Sequence, residues 1–119
     1  MEFGAHLPLS AFDESPKTLA RLRGYASAAA SLGYTTLCAN DHLLVGRPWL
    51  DGPTALASVI EESEEVTLAT TVCLPVIRGP VQTAKTLAAI VESPACGASR
   101  ASVTAGWRRR TTPPRTCSG

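Results

Sequence analysis

Residues 66–74 read Val-Thr-Leu-Ala-Thr-Thr-Val-Cys-Leu, an uncharged run that is rich in β-branched side chains. Such a run is typical of a strand that is buried on both faces, as in a parallel sheet. Residues 34–40, Tyr-Thr-Thr-Leu-Cys-Ala-Asn, have the same character, and residues 2–8 form a third short run that ends at Pro8. The sequence therefore predicts three strands.

Helical patterns separate these strands. After the first strand, apolar side chains recur at spacings of three and four, at Leu19, Leu22, Tyr25, Ala26, Ala29 and Leu32. Ser15-Pro16 predicts the start of this helix and Gly33 its end. Two further helices are predicted at about 54–62 and 81–91. The order β-α-β-α-β-α with short connections predicts an α/β fold with parallel strands and right-handed crossovers.

Length and composition limit the class of protein. The 119 residues allow one domain at most, and 45% hydrophobic with 18% charged residues is typical of a soluble globular chain. No apolar run approaches the roughly 18 residues of a membrane-spanning helix. Glu2 and His6 stand where a signal peptide needs basic and apolar regions. We therefore expect a cytoplasmic protein without a membrane partner.

The chain changes character near residue 91. Residues 1–91 carry six Lys/Arg and nine Asp/Glu, a balance of −3, whereas residues 92–119 carry five Arg and one Glu, a balance of +4. In the second segment, Val103 and Trp107 are the only large apolar side chains, too few to offset the entropy of ordering it. We expect residues 1–91 to fold and residues 92–119 to form a disordered tail.

The composition of residues 92–119 also suggests that this part of the gene is read in the wrong frame. Its stretches Trp-Arg-Arg-Arg at 107–110 and Pro-Pro-Arg at 113–115 are typical of GC-rich DNA read in the wrong frame, which suggests a frameshift near codon 91. The basic cluster Arg108–Arg110 could instead contact nucleic acid, but it lacks helical periodicity and any recognised binding fold. We expect no nucleic-acid partner.

Two residue pairs follow the predicted second and third strands. Catalytic groups of βα barrels lie at the carboxyl ends of strands, which is where Asp41-His42 and Thr71-Val72 stand. A histidine there can transfer a proton near neutral pH, and an adjacent carboxylate can orient it. Read without further information, Asp41-His42 also fits a turn-stabilising pair, and Thr71-Val72 a buried strand that stops at Pro75.

Other polar residues have simpler interpretations. Arg78 could bind an anion, but a lone arginine on a loop is more simply explained as solvated, which is what we expect. We expect His6 to lie inside a barrel. Cys38 and Cys73 are expected in the core, and the four cysteines form no CxxC pair of a zinc site. We expect no metal site, and interpret the acidic residues as a solvated turn; these are Glu61, Glu62, Glu64 and Glu65. No Gly-rich dinucleotide or P-loop motif is present.

Four segments, taken in order, resemble the luciferase-like monooxygenase family. They are Phe-Gly-Ala-His-Leu-Pro at 3–8, Leu-Gly-Tyr-Thr-Thr-Leu-Cys-Ala-Asn-Asp-His-Leu-Leu at 32–44, Pro-Trp-Leu-Asp-Gly-Pro-Thr-Ala-Leu-Ala at 48–57, and the stretch from Leu-Ala-Thr-Thr-Val-Cys-Leu-Pro to Ala-Ala-Ile at 68–90. The resemblance implies a TIM barrel that binds reduced FMN or the deazaflavin coenzyme F-420 and oxidises or reduces a small organic substrate.

The resemblance also assigns roles to the two pairs. It implies that His42 takes part in proton transfer and that Asp41 helps to bind the cofactor ring. It further implies that Thr71-Val72 forms a non-proline cis peptide that supports the ring. These roles are expectations that come from the family.

A complete barrel needs eight strands and about 250 residues. We therefore expect this chain to be a partial TIM barrel of the first three βα units, inactive alone and able to self-associate through its open strand edges. The alternative is a non-enzymatic remnant or a small α/β interaction module.

Overall fold

The fold is known from a computed structural model, which describes residues 2–10, 18–63 and 66–92 together with the backbone of 101–103. Three strands lie side by side in parallel: β1 (Gly4–His6), β2 (Thr36–Ala39) and β3 (Thr67–Thr70). Ala5, Leu37 and Leu68 share one register across them. The predicted α/β fold, with parallel strands that alternate with helices in an open sheet, is confirmed.

A fourth strand, β4 (Ala101–Val103), pairs in parallel with β3 and completes the order β1-β2-β3-β4. It lies within the segment that was expected to be a disordered tail, so that expectation is corrected at these three residues. Pairing with β3 satisfies backbone groups that an isolated segment would leave to water. The remainder of the predicted tail after Glu92 lies outside the described residues.

The first helix is α1 (Leu19–Ser31). Its N-cap is Thr18, whose hydroxyl accepts a hydrogen bond from the Arg21 N–H at 3.3 Å. The predicted start at Ser15-Pro16 is therefore wrong, and those two residues lie outside the described part of the chain. Gly33 follows the helix with a φ of 85°, a left-handed conformation that favours glycine, as predicted.

The later helices differ from the prediction at their boundaries. The expected helix at 54–62 is a shorter helix, α2 (Gly52–Ala57), followed by a separate 3-10 turn at Glu61–Ser63. Asp51 caps α2, and its Oδ2 accepts from the Thr54 N–H at 3.0 Å. A short helix, α3 (Pro75–Arg78), occupies the predicted loop, and α4 (Pro80–Val91) agrees with the third predicted helix. None of these helices is long and apolar enough to cross a lipid bilayer.

The core lies between one face of the sheet and the helices. Leu37 is completely buried and packs in one apolar cluster with Leu68 from β3 and Val59 from the segment after α2. On α1 the predicted apolar face is partly right: Leu22, Ala26 and Ala29 are buried, while Leu19, Tyr25 and Leu32 are exposed. The exposed three lie at the ends or the flank of the helix, where the sheet does not cover them.

The other face of the sheet carries small and polar side chains. Gly4 and His6 are exposed on β1, and Thr36 and Cys38 are half-buried on β2. The Nδ1–H of His6 donates to the Leu7 carbonyl oxygen, with 3.1 Å between the two atoms. The expected buried cysteines are confirmed for Cys73, whereas Cys38 is half-buried.

Candidate functional site

The two predicted residue pairs lie at the same edge of the sheet. Ala39 and Thr70, the last residues of β2 and β3, are partners in the parallel register. The Thr71 N–H then donates to the Ala39 carbonyl at 2.8 Å, so the chain leaves both strands side by side. Asp41-His42 and Thr71-Val72 follow directly. We call this edge, with the segments 40–51 and 71–79 that follow the strands, the carboxyl edge.

Thr71 and Val72 are joined by a cis peptide bond, as the resemblance implied. Both residues are exposed, and 62% of Val72 is open to solvent. Burial raises the pKa of the Cys38 thiol on the uncovered face, and the nearby Thr71 side chain opposes the rise.

Asp41 is buried, with only 3% of the residue exposed. Its Oδ2 accepts from Arg78 Nε at 2.6 Å and from the Leu74 N–H at 3.1 Å, and its Oδ1 accepts from Arg78 Nη2. The hydrogen bonds from Arg78 hold the pKa of Asp41 below its ordinary value, more strongly than burial raises it. The carboxylate therefore stays ionised and joins the end of β2 to the segment after β3.

Arg78 also binds a second carboxylate, because its Nη2 donates to Asp51 Oδ1 at the start of α2. Burial raises the pKa of Asp51, but hydrogen bonds from Thr54 and Arg78 outweigh that effect and the net shift is downward. The pKa of Arg78 is raised by its two partners. The expectation that Arg78 is solvated is wrong. We refer to Asp41, Asp51 and Arg78 as the Arg78 cluster.

His42 is exposed at the carboxyl edge beside this cluster. Its ring meets Trp49 edge to face, with 4.7 Å between ring centroids and an interplanar angle of 81°. The Trp49 indole N–H donates to Asn40 Oδ1 at 3.2 Å, two residues before His42. The sequence suggested that the Asp41 carboxylate could orient this histidine. In the structure that carboxylate is bound by Arg78, and Trp49 contacts the ring.

Sequence reasoning did not identify Trp49, Asn40 or Asp51 as part of the site. Trp49 and Asp51 stood in a quoted family segment, and Asp51-Gly-Pro carries the signature of a capped helix start. The partners of Arg78 were not predicted either, because they lie 27 and 37 positions away in sequence, beyond any local pattern.

Comparison with known proteins decides the family. A sequence model of the family described as luciferase-like monooxygenase matches residues 1–92. The chain belongs to this family. Its members are flavin-type oxidoreductases, and the match covers β1 to α4 with the whole carboxyl edge. A search of curated proteins finds no match to the chain.

Two of the four acidic residues near α2 lie close to Arg23. Arg23 Nη2 lies 3.8 Å from Glu61 Oε2, and Arg23 Nε lies 3.5 Å from Glu62 Oε1. The other two predicted acidic residues, Glu64 and Glu65, lie outside the described residues. Within residues 2–10, 18–63 and 66–92, no three His, Cys, Asp or Glu side chains gather closely enough to hold a metal ion.

The carboxyl edge fits the flat ring of a flavin or deazaflavin. Val72 offers an exposed apolar surface, Thr71 a hydroxyl, and His42 an imidazole that can accept or donate a proton. An extended aromatic ring needs apolar contact on its face and a few polar groups at its edge. The described residues therefore suit the ring part of the family's cofactor.

Proposed function

We propose that this chain forms part of the cofactor site of a luciferase-like oxidoreductase that uses reduced FMN or the deazaflavin coenzyme F-420 to oxidise or reduce a small organic substrate. One observation carries the proposal: in a chain of this family, Asp41-His42 and Thr71-Val72 meet at one edge of the sheet. Both pairs follow neighbouring parallel strands, where βα barrels build their active sites.

In this proposal Thr71 and Val72 support the cofactor ring. Both side chains are exposed beside the uncovered face, and Val72 supplies apolar contact for one face of the ring. The Thr71 N–H is bound to the Ala39 carbonyl, which keeps the position of the support constant relative to β2. When bound, the reduced cofactor supplies the hydride or the oxygen chemistry, and the protein supplies position and proton transfer.

His42 is the proposed proton-transfer residue. Its ring is exposed at the carboxyl edge, and the contact with Trp49 limits the directions in which the ring can point. An imidazole has two ring nitrogens that can donate or accept, so it can hold or release a proton at the substrate or the ring edge. Asp41, which the resemblance implies as a ring-binding residue, acts indirectly in this proposal: its side chain is 1% exposed and bound by Arg78, and it holds the backbone from which His42 extends.

A second candidate is a non-enzymatic α/β interaction module. Exposed apolar side chains at the carboxyl edge favour it: Leu44 is 95% and Val76 92% exposed. Large apolar side chains in solvent often mark contact surfaces. The outer strands of the described sheet, β1 and β4, could also pair with a second copy of the chain, which is how we propose that it self-associates.

Cofactor titration separates the two candidates. We expect weak saturable binding of F-420 or reduced FMN, with a dissociation constant of about 1 mM and no turnover, because three βα units supply only part of a barrel site. The substitutions His42→Gln and Thr71→Ala should weaken this binding. Thr86→Ala, an exposed threonine on α4, is the matched control and should leave it unchanged.

The titration contradicts the proposal if neither cofactor saturates, or if Thr86→Ala weakens binding as much as Thr71→Ala. Either result would favour the interaction module. Tight binding with turnover would instead show that the described units form a complete site, against the expectation of weak binding.

A further inference from the structure

The Arg78 cluster joins three segments that are far apart in sequence. Arg78 ends α3, Asp41 follows β2, and Asp51 caps α2. One guanidinium binds both oxygens of Asp41 and one oxygen of Asp51. Because Arg has a planar fork of donors, it can bind two carboxylates at fixed angles, which a lysine cannot do.

The geometry around the cluster leaves little room for adjustment. The side chain of Asp41 is 1% exposed and that of Arg78 18%. At the start of α2, a Cβ added to Gly52 would lie 2.5 Å from the Asn40 carbonyl oxygen, so the helix start packs directly against the backbone beside Asp41. The residue before His42 is therefore held from two sides, by Arg78 and by α2.

The His42 ring packs on Trp49. Trp49 in turn donates to Asn40, the residue on the other side of Asp41. The position of the imidazole therefore depends on the backbone of residues 40–42, and that backbone depends on the two carboxylate contacts of Arg78.

We propose that Arg78 is the positioning residue of the carboxyl edge: by binding Asp41 and Asp51 together, its guanidinium sets where the His42 ring lies. Arg78 acts through Asp41 and need not touch substrate or cofactor. Any effect of Arg78 on catalysis rests on the proposed role of His42. The effect of Arg78 on the position of the His42 ring can be measured without any cofactor.

The test follows the contact between the His42 and Trp49 rings by NMR. In a chain that carries Trp107→Phe, Trp49 is the sole tryptophan. The further substitution His6→Gln shows which of the two histidine signals belongs to His42. We expect nuclear Overhauser effects between the two rings in this background, their loss in Arg78→Gln, and partial recovery in Arg78→Lys. The Lys variant keeps the charge but loses the fork.

Arg23→Gln is the matched control. Like Arg78, Arg23 lies near two carboxylates, those of Glu61 and Glu62. Its Nε in addition donates to the backbone carbonyl of Ser58. It lies away from the carboxyl edge, so its loss should leave the His42–Trp49 contact intact. If Arg23→Gln abolishes the contact as fully as Arg78→Gln does, the effect is general loosening and the proposal is wrong.

A double variant guards against simple unfolding. Arg78→Gln leaves the buried Asp41 carboxylate without its cation, which is strongly destabilising. Adding Asp41→Asn removes that charge, so the double variant should fold better than Arg78→Gln while still lacking the ring contact. Persistence of the ring contact in a folded Arg78→Gln or double variant would overturn the inference.

The same samples distinguish this inference from the proposed function. If the unsubstituted chain binds neither FMN nor F-420 but loses the ring contact in Arg78→Gln, the proposed function fails and the positioning role stands. If the chain binds cofactor and Arg78→Gln changes neither the ring contact nor the affinity, the positioning role fails and the proposed function stands.

Discussion

The core and the carboxyl edge are held together by different forces. In the core, apolar side chains such as Leu37, Leu68 and Val59 pack between the sheet and the helices. At the carboxyl edge, the segments after β2 and β3 are joined by one cation and two carboxylates. The core tolerates many apolar arrangements because packing is not directional. At the carboxyl edge, the hydrogen bonds that the Arg78 guanidinium donates are directional, so they fix one arrangement of the two carboxylates.

The largest expected effect is a core truncation. Leu37→Ala should lower the free energy of unfolding by about 2–5 kcal/mol, because it removes buried methyl groups and leaves a cavity. Leu44→Ala at the exposed edge is the matched control and should change it by less than about 0.5 kcal/mol. Urea unfolding followed by circular dichroism measures both. Equal losses would mean that Leu44 is also packed and that the contrast between the two regions is false.

A methyl group at the edge should have the next largest effect. Gly52→Ala would place its Cβ against the Asn40 carbonyl oxygen, so the backbone must shift, at a cost of about 1–3 kcal/mol. Gly24→Ala in the middle of α1 meets no atom within 4 Å and should stabilise the protein by about 0.5–1 kcal/mol. Thermal unfolding of both variants tests the opposite signs. A stabilising Gly52→Ala would contradict the close approach at the edge.

Acid should destabilise the protein through the carboxyl edge, where Asp41 must stay ionised. The pKa of Asp41 in the folded chain lies below its ordinary value of 3.8, chiefly because of Arg78. A lowered pKa contributes stability that is complete above the ordinary value and is lost as the pH falls below it, toward the folded-state pKa. Unfolding measured at decreasing pH should therefore show a loss that begins near pH 3.8.

The variant Asp41→Asn identifies the group responsible. It should be less stable than the unsubstituted chain at neutral pH, and its stability should fall less as the solution is acidified. If both chains lose stability in parallel below that pH, another carboxyl group controls the acid transition.

The smallest expected effect is the loss of the helix cap at the start of α1, a helix that packs on the core. Thr18→Ala removes the hydroxyl that accepts from the Arg21 N–H and should cost about 1 kcal/mol. Ser31→Ala at the other end of α1 removes a hydroxyl that donates to the Ala28 carbonyl and should cost close to nothing. Thermal unfolding compares the two. A larger loss for Ser31→Ala would show that the start of α1 is held by something other than Thr18.

The predicted strands and helices agree with the structure where a local sequence pattern decides the conformation. The runs at 34–40 and 66–74 contain β2 and β3, and Gly33 ends α1 because a left-handed conformation there favours glycine. The boundaries were less accurate. Thr18 rather than Ser15 caps α1; both residue types can cap a helix, so the local pattern does not decide between them.

The candidate site was predicted in part. That Asp41-His42 and Thr71-Val72 share one edge followed from strand order, because parallel strands joined by crossovers have their carboxyl ends together. The roles of these residues toward a cofactor stay predictions. The partners of Arg78 and Trp49 were not predicted, because a lone arginine or tryptophan in a loop has no pattern that indicates which residue it contacts.

The sequence by itself determined the order of strands and helices, the change of composition near residue 91 and the family. These depend on periodicity, on charge and on residue types close together along the chain. Only the tertiary structure decided that Arg78 binds Asp41 and Asp51, that Trp49 contacts His42, and that residues 101–103 pair with β3. The contacts of Arg78 and of residues 101–103 join residues that are far apart in sequence, and they form only after the core has brought the strands together. The contact between Trp49 and His42 lies within one segment, but it depends on how that segment folds after β2.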